Sequence, residues 1–413
     1  MGFVTAMNIP LFKIYWDEND VRKVISVIKN GMYWALGPDI REFENKAAEY
    51  VGVRYGVAVN SGTSALHVAL AAYGIGKGDE VIVPSFTFIA TANAPLFVGA
   101  KPVFAEIEEE TYGLDPQDVE ARITPNTKAI ITVHYGGSPC RIQELNEVAR
   151  RHNLILIEDA AESLGAMANG KKVGSFGDSA ILSFCAPKVI STGEGGMILT
   201  DSRDIYEKAR LISSHGRVDS SNYFSSSEQM DYVTLGFNFR MSTMTAALGV
   251  TQIQKIEDII RMRQENSAYL TEQLSMIDEI ATPMPPPDIH HVYQLYTTRV
   301  RDGQNIRNRL KEYLVKHGVM VKVYFDPVHL TQFYRQAFDY HEGYLPITEK
   351  VAAEVLTLPM YPTLTKDEMD YISNKITDFF NESTVGNITR IAPGLNIHKD
   401  NIKYKASGLI QGD

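Results

Sequence analysis

One lysine in a glycine-rich loop is the first candidate for chemistry. Lys188 follows Pro187 and precedes the run TGEGGM at residues 192–197, and no acidic residue adjoins it in the sequence. Two interpretations are open: a solvated side chain, which is the usual state of an isolated lysine, or a desolvated amine whose lowered pKa makes it a nucleophile near neutral pH. The loop by itself favours the solvated lysine.

Three further features place polar or aromatic side chains where apolar runs end. The turn SGTS at residues 61–64 separates a short strand from a helix, so its N–H groups and hydroxyls either bind an anion such as a phosphate or cap the helix. Asp159 ends the apolar run of LILIEDAAES, where a carboxylate binds a ligand or caps a turn. Phe86 and Phe88 follow the run EVIVP and offer either an aromatic face to a flat ring or plain packing.

These four features complement one another. A phosphate-binding turn, an aromatic plate, a strand-end aspartate and a lysine are the set that pyridoxal phosphate requires, because lysine holds the aldehyde as a Schiff base and the aspartate keeps the ring nitrogen protonated. Each part alone favours a structural role. Together, Lys188 and Asp159 with the turn at 61–64 predict pyridoxal-phosphate chemistry.

The elements that must position these residues read as a series of βα units. From Tyr55 to about residue 200, apolar runs alternate with glycine-rich turns and helical periods, which predicts an α/β domain with a mainly parallel sheet. Ligands bind beyond the carboxyl ends of the strands in such sheets. Residues 240–280 read as long helices, with apolar residues at helical spacing.

A proline run marks the expected domain boundary. PMPPPD at residues 283–288 interrupts the helical pattern, and the sequence after it mixes helix-like and strand-like segments. We therefore expect a large α/β domain over 1–282, a smaller α+β domain over 283–382, and an irregular tail over 383–413.

Composition excludes several classes of function. The 413 residues include 40 basic and 50 acidic side chains, a net charge of −10, so phosphate-backbone contacts with nucleic acid are not expected. Two cysteines, Cys140 and Cys185, are too few for a disulfide framework and indicate a cytoplasmic protein. From the residues at its start and its apolar runs we expect neither a secretory leader nor a membrane span, and no metal motif is recognisable, so small molecules and other protein chains are the expected partners.

The sequence resembles the DegT/StrS family of pyridoxal-phosphate-dependent sugar-nucleotide aminotransferases from about Ile9 to about Phe380. The resemblance implies the type I pyridoxal-phosphate transferase fold, which is the aspartate aminotransferase-like fold, and pyridoxal 5′-phosphate as the cofactor. The motifs that carry it are NSGTSALHVAL (60–70), GDEVIVPSFTFIATANA (78–94), GAKPVF (99–104), IEDAAESLGA (157–166), GSFGDSAILSF (174–184), TGEGGM (192–197) and GFNFRMS (236–242).

The resemblance also implies roles for single residues. Lys188 is the catalytic lysine, Asp159 contacts the pyridine nitrogen, and Phe88 stacks on the ring. Asn238 matches an asparagine that reaches the cofactor phosphate from a partner subunit, which implies a homodimer with shared active sites. The further cofactor positions implied are Ser61, Gly62, Thr63 and Ser183 at the phosphate and Glu162 beside the ring.

The resemblance implies a class of substrate rather than a single compound. TGEGG after the lysine is similar to members that aminate C4 of a 4-keto-6-deoxy sugar nucleotide with L-glutamate as donor, and the GDP-perosamine synthase branch is the most similar. His215 and His329 have two open interpretations, a place near the sugar or nucleotide and a hydrogen-bonding role in the surface or core.

Several alternatives remain in competition with this function. They are amination of a UDP- or dTDP-linked keto sugar, and a non-catalytic regulatory protein of the same fold. Lys188 argues against a dehydratase of this fold, which carries histidine there, and no GxGxxG motif supports a nucleotide-dependent oxidoreductase.

Overall fold

A computed structural model describes residues 7–218 and 230–385 of the chain, with backbone alone for 383–385. The helices are α1 (Glu18–Asn30), α2 (Pro38–Val51), α3 (Gly62–Ala72), α4 (Ile89–Phe97), α5 (Pro116–Ala121), α6 (Ile142–Arg151), α7 (Arg203–Ser213), α8 (Thr243–Gln254), α9 (Ile256–Leu274), α10 (Gln304–Lys316), α11 (Gln332–Phe338), α12 (Pro346–Glu354) and α13 (Lys366–Val385). The strands are β1 (Tyr55–Val59), β2 (Glu80–Pro84), β3 (Lys101–Ala105), β4 (Thr127–Val133), β5 (Ile155–Asp159), β6 (Met167–Ala168), β7 (Lys171–Lys172), β8 (Ser179–Ser183), β9 (Gly196–Thr200), β10 (Ile280–Ala281), β11 (Ile289–His290), β12 (Tyr296–Val300) and β13 (Val355–Leu358).

The described residues form a large central sheet in the order β1-β9-β8-β5-β4-β2-β3. Strands β8, β5, β4, β2 and β3 pair in parallel, and β9 runs antiparallel between β1 and β8. The carboxyl ends of the parallel strands therefore meet at one edge, which is where ligands bind in sheets of this kind. The predicted mainly parallel α/β sheet and the type I fold are confirmed.

Helices cover both faces of this sheet, which is why its strands are apolar on both sides. In β8, Ile181 packs into a cluster with α3, α4 and α7, whereas its neighbour Leu182 packs on the other face with α2, α8 and α9. The alternation follows from the two-residue period of a strand. It holds the strand ends in fixed positions relative to the helices that follow them.

A smaller sheet in the order β10-β12-β13 lies in the second half of the chain. Its hydrophobic cluster includes residues of α10 and α13, and also Leu270 and Leu274 from the end of α9. Strand β10 precedes the proline run, and β11, which follows it, pairs with β6 of the first half. The boundary at residue 282 thus stays a prediction. A strand that precedes it belongs to the small sheet, and a strand that follows it pairs with a strand of the first half.

The tail predicted over residues 383–413 begins within α13, which ends at Val385. Of the predicted tail, residues 386–413 lie outside the described part of the chain. No helix in the described ranges is both long and apolar enough to span a bilayer.

Candidate active site

A cavity of about 390 Å³ opens at the carboxyl edge of the large sheet. Its walls come from the ends of β5 and β8, the starts of α3 and α4, the loop before β9, and two segments of the second half near residues 294 and 322–325. Eight residues predicted from the sequence line it together: Ser61, Gly62, Thr63, Phe88, Asp159, Glu162, Ser183 and Lys188.

The turn at residues 61–64 forms the start of α3. Ser61 is the N-cap, and its Oγ accepts the N–H of Ser64 at 3.1 Å. The N–H groups of Gly62 and Thr63 have no acceptor within the helix, and the first turn carries no acidic side chain. Partial positive charge therefore faces the cavity here, which suits an anion.

Glycine at two positions allows close packing around this turn. A Cβ at Gly62 would lie 3.0 Å from the Cβ of Ser183. A Cβ at Gly196, the last glycine of TGEGG, would lie 2.3 Å from the carbonyl oxygen of Ser61. The end of the lysine loop and the turn thus approach each other so closely that a side chain at either glycine would crowd the protein's own atoms.

Asp159 is the last residue of β5 and is only 5% exposed. One carboxylate oxygen, Oδ2, accepts the hydroxyl of Thr91 at 2.8 Å, and the other, Oδ1, accepts the N–H of Ala161 at 3.2 Å. Burial raises the pKa of the Asp159 carboxyl above its usual value, while these hydrogen bonds and the charge of Lys188 oppose that rise.

Lys188 reaches into the cavity from its loop and meets a carboxylate. Its Nζ lies 3.2 Å from Oε1 of Glu162, and both side chains are largely buried. The other oxygen of Glu162 accepts the N–H of Gly136 at 2.9 Å, so the carboxylate is fixed from two sides.

The ion pair corrects one expectation. Burial lowers the pKa of the Lys188 ammonium, but the charges of Glu162, Cys185 and Asp159 and the hydrogen bond to Glu162 together outweigh it, and the pKa lies above the ordinary lysine value. Neither open interpretation therefore holds for the chain without a ligand, because the Lys188 side chain is buried but its pKa is raised. Glu162 lies 26 positions away, so no local pattern around Lys188 could reveal it.

Phe88 presents its ring at the cavity. The residue is the N-cap of α4 and is 60% exposed, which is unusual for a large aromatic side chain in a loop between two buried elements. Its ring centroid lies 6.4 Å from that of Phe325. Phe86, by contrast, is fully buried among Tyr112 and Tyr135, so it packs in the core.

Among the lining residues that the sequence analysis did not single out are four with polar side chains, Thr87, Thr91, Gln294 and Lys322. Thr87 and Thr91 flank the start of α4, and their closeness to Phe88 in the sequence was a usable signal. Gln294 and Lys322 come from the second half of the chain, and nothing in the sequence links them to Lys188. The side-chain oxygen of Gln294 is buried and has no hydrogen-bond partner among the described residues.

Three predicted positions do not line this cavity. His329 is fully buried and bonds through Nδ1 to Ser85 at 2.7 Å and through Nε2 to Glu349 at 3.2 Å, which is a core role. His215 and Asn238 are exposed and lie beside each other, because the N–H of His215 donates to the carbonyl of Phe237.

The residues present fit pyridoxal phosphate. The start of α3 presents N–H donors to the cavity for a phosphate, the exposed ring of Phe88 offers a flat apolar face, and Asp159 supplies a buried acceptor. Lys188 is the amine that faces the same space. The fold and this cavity define a pyridoxal-phosphate-dependent transferase of fold type I.

Comparison with known proteins narrows that class. The chain belongs to the DegT/DnrJ/EryC1/StrS aminotransferase family, whose model matches residues 15–377. Members of this family are pyridoxal-phosphate-dependent sugar aminotransferases, and the structural neighbours include a chain solved in its PLP form. The family, the cofactor and the enzyme class predicted from the sequence are thus confirmed.

Three similar proteins illustrate the range of the family. GDP-perosamine synthase of Caulobacter vibrioides is 37% identical over 358 residues, which cover 86% of this chain and 94% of that protein. A pleiotropic regulatory protein of Geobacillus stearothermophilus is 35% identical over 382 residues, which cover 91% of this chain and 99% of that protein. The solved structure of Helicobacter pylori PseC, an aminotransferase involved in the biosynthesis of pseudoaminic acid, has a TM-score of 0.85 at 26% identity and covers 91% of this chain and all of that one.

Proposed function

We propose that this aminotransferase moves an amino group from L-glutamate to the C4 keto group of a nucleotide-linked 4-keto-6-deoxy sugar, with a GDP-linked sugar as the preferred substrate. The observation that carries the proposal is the presence of Lys188, Asp159 and the turn at 61–64 around one cavity. The form TGEGG after Lys188 and the 37% identity to a GDP-perosamine synthase support the choice of carbon and nucleotide. Such a product belongs to amino-sugar and polysaccharide biosynthesis.

Pyridoxal phosphate, when bound, supplies the aldehyde that takes up the amino group and a ring that withdraws electrons from it. Asp159 would pair with the ring nitrogen and stabilise its protonated form. Ser61, Gly62, Thr63 and Ser183 would hold the phosphate, and Phe88 would pack against the ring.

Lys188 has two tasks in this proposal. Its Nζ would anchor the cofactor and, when a substrate amine takes its place, the same Nζ would serve as the base and acid that moves a proton at the substrate carbon. Glu162, 3.2 Å from that Nζ, keeps it oriented and stabilises the charge of the ammonium form.

The substrate wall of the cavity comes from the second half of the chain. Lys322 lines it, its Nζ lies 4.7 Å from the centre of the Tyr324 ring, and no described carboxylate forms an ion pair with it. Gln294 adds an amide whose oxygen lacks a partner. An ammonium and an amide suit both substrates, since glutamate brings carboxylates and a nucleotide sugar brings phosphates and hydroxyls.

The nucleotide is tested with a substrate panel. The holoenzyme is incubated with L-glutamate and, separately, GDP-, UDP- and dTDP-linked 4-keto-6-deoxy sugars, and 2-oxoglutarate and the amino sugar are measured. We expect the GDP sugar to be consumed with the highest kcat/KM. A higher value with the UDP or dTDP sugar would select the alternative substrate, and no turnover with any sugar or other amino donor would favour the regulatory function.

We also propose that the enzyme is a homodimer with shared active sites. Asn238 is exposed and outside the cavity of its own chain, as expected for a residue that contacts the phosphate in the partner's site. The adjacent Leu235 is 81% exposed, and α1 exposes Val21, Ile25 and Ile28 at helical spacing, so an apolar surface remains for a second copy. His215, beside Asn238, then lies near the partner's ligand.

Sedimentation velocity tests whether the protein is a dimer in solution. Mixed dimers test whether each active site contains residues of both chains. A Lys188→Ala chain mixed with an Asn238→Ala chain should regain activity, because one of the two sites in each mixed dimer then has both native residues. No regain on mixing would contradict shared sites.

The regulatory alternative has one relative in its favour, the pleiotropic regulatory protein. The complete set of Lys188, Asp159 and the anion turn around the cavity supports catalysis instead. A cytoplasmic location is part of the proposal, and it is supported by the two cysteines, which are both unpaired.

A further inference from the structure

A chain of three buried hydrogen-bonding groups lies at the floor of the cavity. The hydroxyls of Thr87 and Thr91 are 2.9 Å apart, and the Thr91 hydroxyl lies 2.8 Å from Oδ2 of Asp159. Thr87, Thr91 and Asp159 are 3%, 1% and 5% exposed. Two linked threonine hydroxyls, one of them bonded to the carboxylate, are more than packing requires, because valine has the same shape and would fill that space without a hydrogen bond.

The number of hydroxyl protons determines the direction of both hydrogen bonds. A threonine hydroxyl has one proton, and Thr91 donates it to the carboxylate, so the Thr87 hydroxyl must donate to the oxygen of Thr91. Such a chain polarises each link toward the charge. Thr91 lies in the first turn of α4 and Thr87 directly precedes the N-cap residue Phe88, so the entry of the chain into the helix brings the two hydroxyls together.

The chain also fixes the plane of the carboxylate. Thr91 holds Oδ2, and the N–H of Ala161 holds Oδ1 at 3.2 Å. With both oxygens held from the protein side, the carboxylate cannot turn, and its remaining lone pairs face the cavity.

We propose that Thr91, supported by Thr87, is a positioning residue that orients Asp159 and stabilises its ionised form, so that the carboxylate can pair with the protonated ring nitrogen of the cofactor. The inference rests on the proposed role of Asp159. Thr91 does not need to touch the cofactor for this, since its effect passes through Oδ2.

The test measures cofactor affinity rather than turnover. The apoprotein and its variants are titrated with pyridoxal phosphate and with the analogue in which a C–H replaces the ring nitrogen, and each dissociation constant is read from the visible absorbance. The ratio of the two constants isolates the contact with the ring nitrogen, because all other contacts are shared.

In Thr91→Val we expect the preference for pyridoxal phosphate over the analogue to fall about tenfold, since a hydrogen bond to a charged group is lost without a change of shape. Thr91→Ser should keep the preference, and Thr87→Val should lower it by a smaller factor. Thr298→Val is the matched control, because it removes an equally buried threonine hydroxyl, bonded to the Leu356 carbonyl in the small sheet.

Equal losses for both ligands in Thr91→Val would show a merely structural role and overturn the inference. An unchanged preference for pyridoxal phosphate over the analogue in Thr91→Val would also overturn the inference. If Thr91→Val does not fold, Thr91→Ala and Thr87→Val give the same comparison. If the unaltered protein has no preference between the two ligands, the proposed role of Asp159 fails instead, which separates the two failures.

Discussion

The cavity has a floor, formed by Asp159, Glu162 and Lys188, and a substrate wall, formed by Gln294 and Lys322. The two differ in whether their polar groups already have hydrogen-bond partners. On the floor, Asp159 has a donor on each oxygen, and Glu162 accepts from Lys188 and from Gly136. On the wall, the amide oxygen of Gln294 is buried without a described partner.

This difference separates chemistry from specificity. A floor that is hydrogen-bonded before any ligand arrives needs no rearrangement to act, which is the condition for electrostatic preorganisation. A wall with an unsatisfied amide instead gains its missing hydrogen bond when a substrate binds. Changes on the floor should therefore lower kcat, and changes on the wall should raise KM.

The largest effect is expected at Lys188. Lys188→Ala removes the anchoring amine and the group that moves the proton, so kcat should fall by roughly a thousandfold or more. Lys322→Ala is the control, since it removes the other lysine of the cavity. Steady-state kinetics measures both, and a Lys188→Ala variant that keeps multiple turnover would contradict the role of the floor.

Asp159→Asn should have the next largest effect. The amide keeps the size of the side chain but not its charge, so the protonated ring nitrogen loses its partner, and kcat should fall about a hundredfold. Asp178→Asn is the matched control at the start of β8, where the carboxylate only accepts the N–H of Leu156 at 2.9 Å. Equal kcat in Asp159→Asn and the unaltered enzyme would refute the argument from the ring nitrogen.

The wall should respond differently. Gln294→Met keeps the length of the side chain and removes its amide, and we expect KM for the sugar or the amino donor to rise about tenfold with kcat nearly unchanged. The affinity for pyridoxal phosphate should stay the same. A fall in kcat without a rise in either KM would show that the wall takes part in the chemistry. It would contradict the separation of catalysis on the floor from substrate binding on the wall.

The smallest effect is a shift in pH dependence. Glu162 raises the pKa of Lys188, and capture of the cofactor requires the neutral amine, so the rate at which apoprotein takes up pyridoxal phosphate should rise with pH through that pKa. Glu162→Gln removes the charge that raises this pKa and should move the midpoint to lower pH. An unchanged midpoint, or one moved to higher pH, would show that Glu162 does not control the charge of Lys188.

Two parts of the cavity, Asp159 and the turn at 61–64, could be located from the sequence because each of them is local. Asp159 ends an apolar strand, and Ser61 caps a helix directly after a strand, so each is visible in a window of about ten residues. The wall could not be found this way. Gln294 and Lys322 reach the cavity through the packing of the second half of the chain, and no short pattern encodes that packing.

The same reason explains why the sequence left two interpretations open at Lys188 and at His329. The pKa of Lys188 depends on Glu162, which belongs to another loop, and the buried environment of His329 depends on Ser85 and Glu349. Contacts between distant segments decide both. The sequence showed which residues lie at the strand ends, but not which of them meet.

The most direct test of the account maps the amine that bonds the cofactor. The holoenzyme is reduced with borohydride and digested, and the peptide that carries the pyridoxyl group is identified by mass spectrometry. We predict that the label lies on Lys188. A label on Lys322, the other lysine that lines the cavity, or on any lysine outside it, would contradict the central claim.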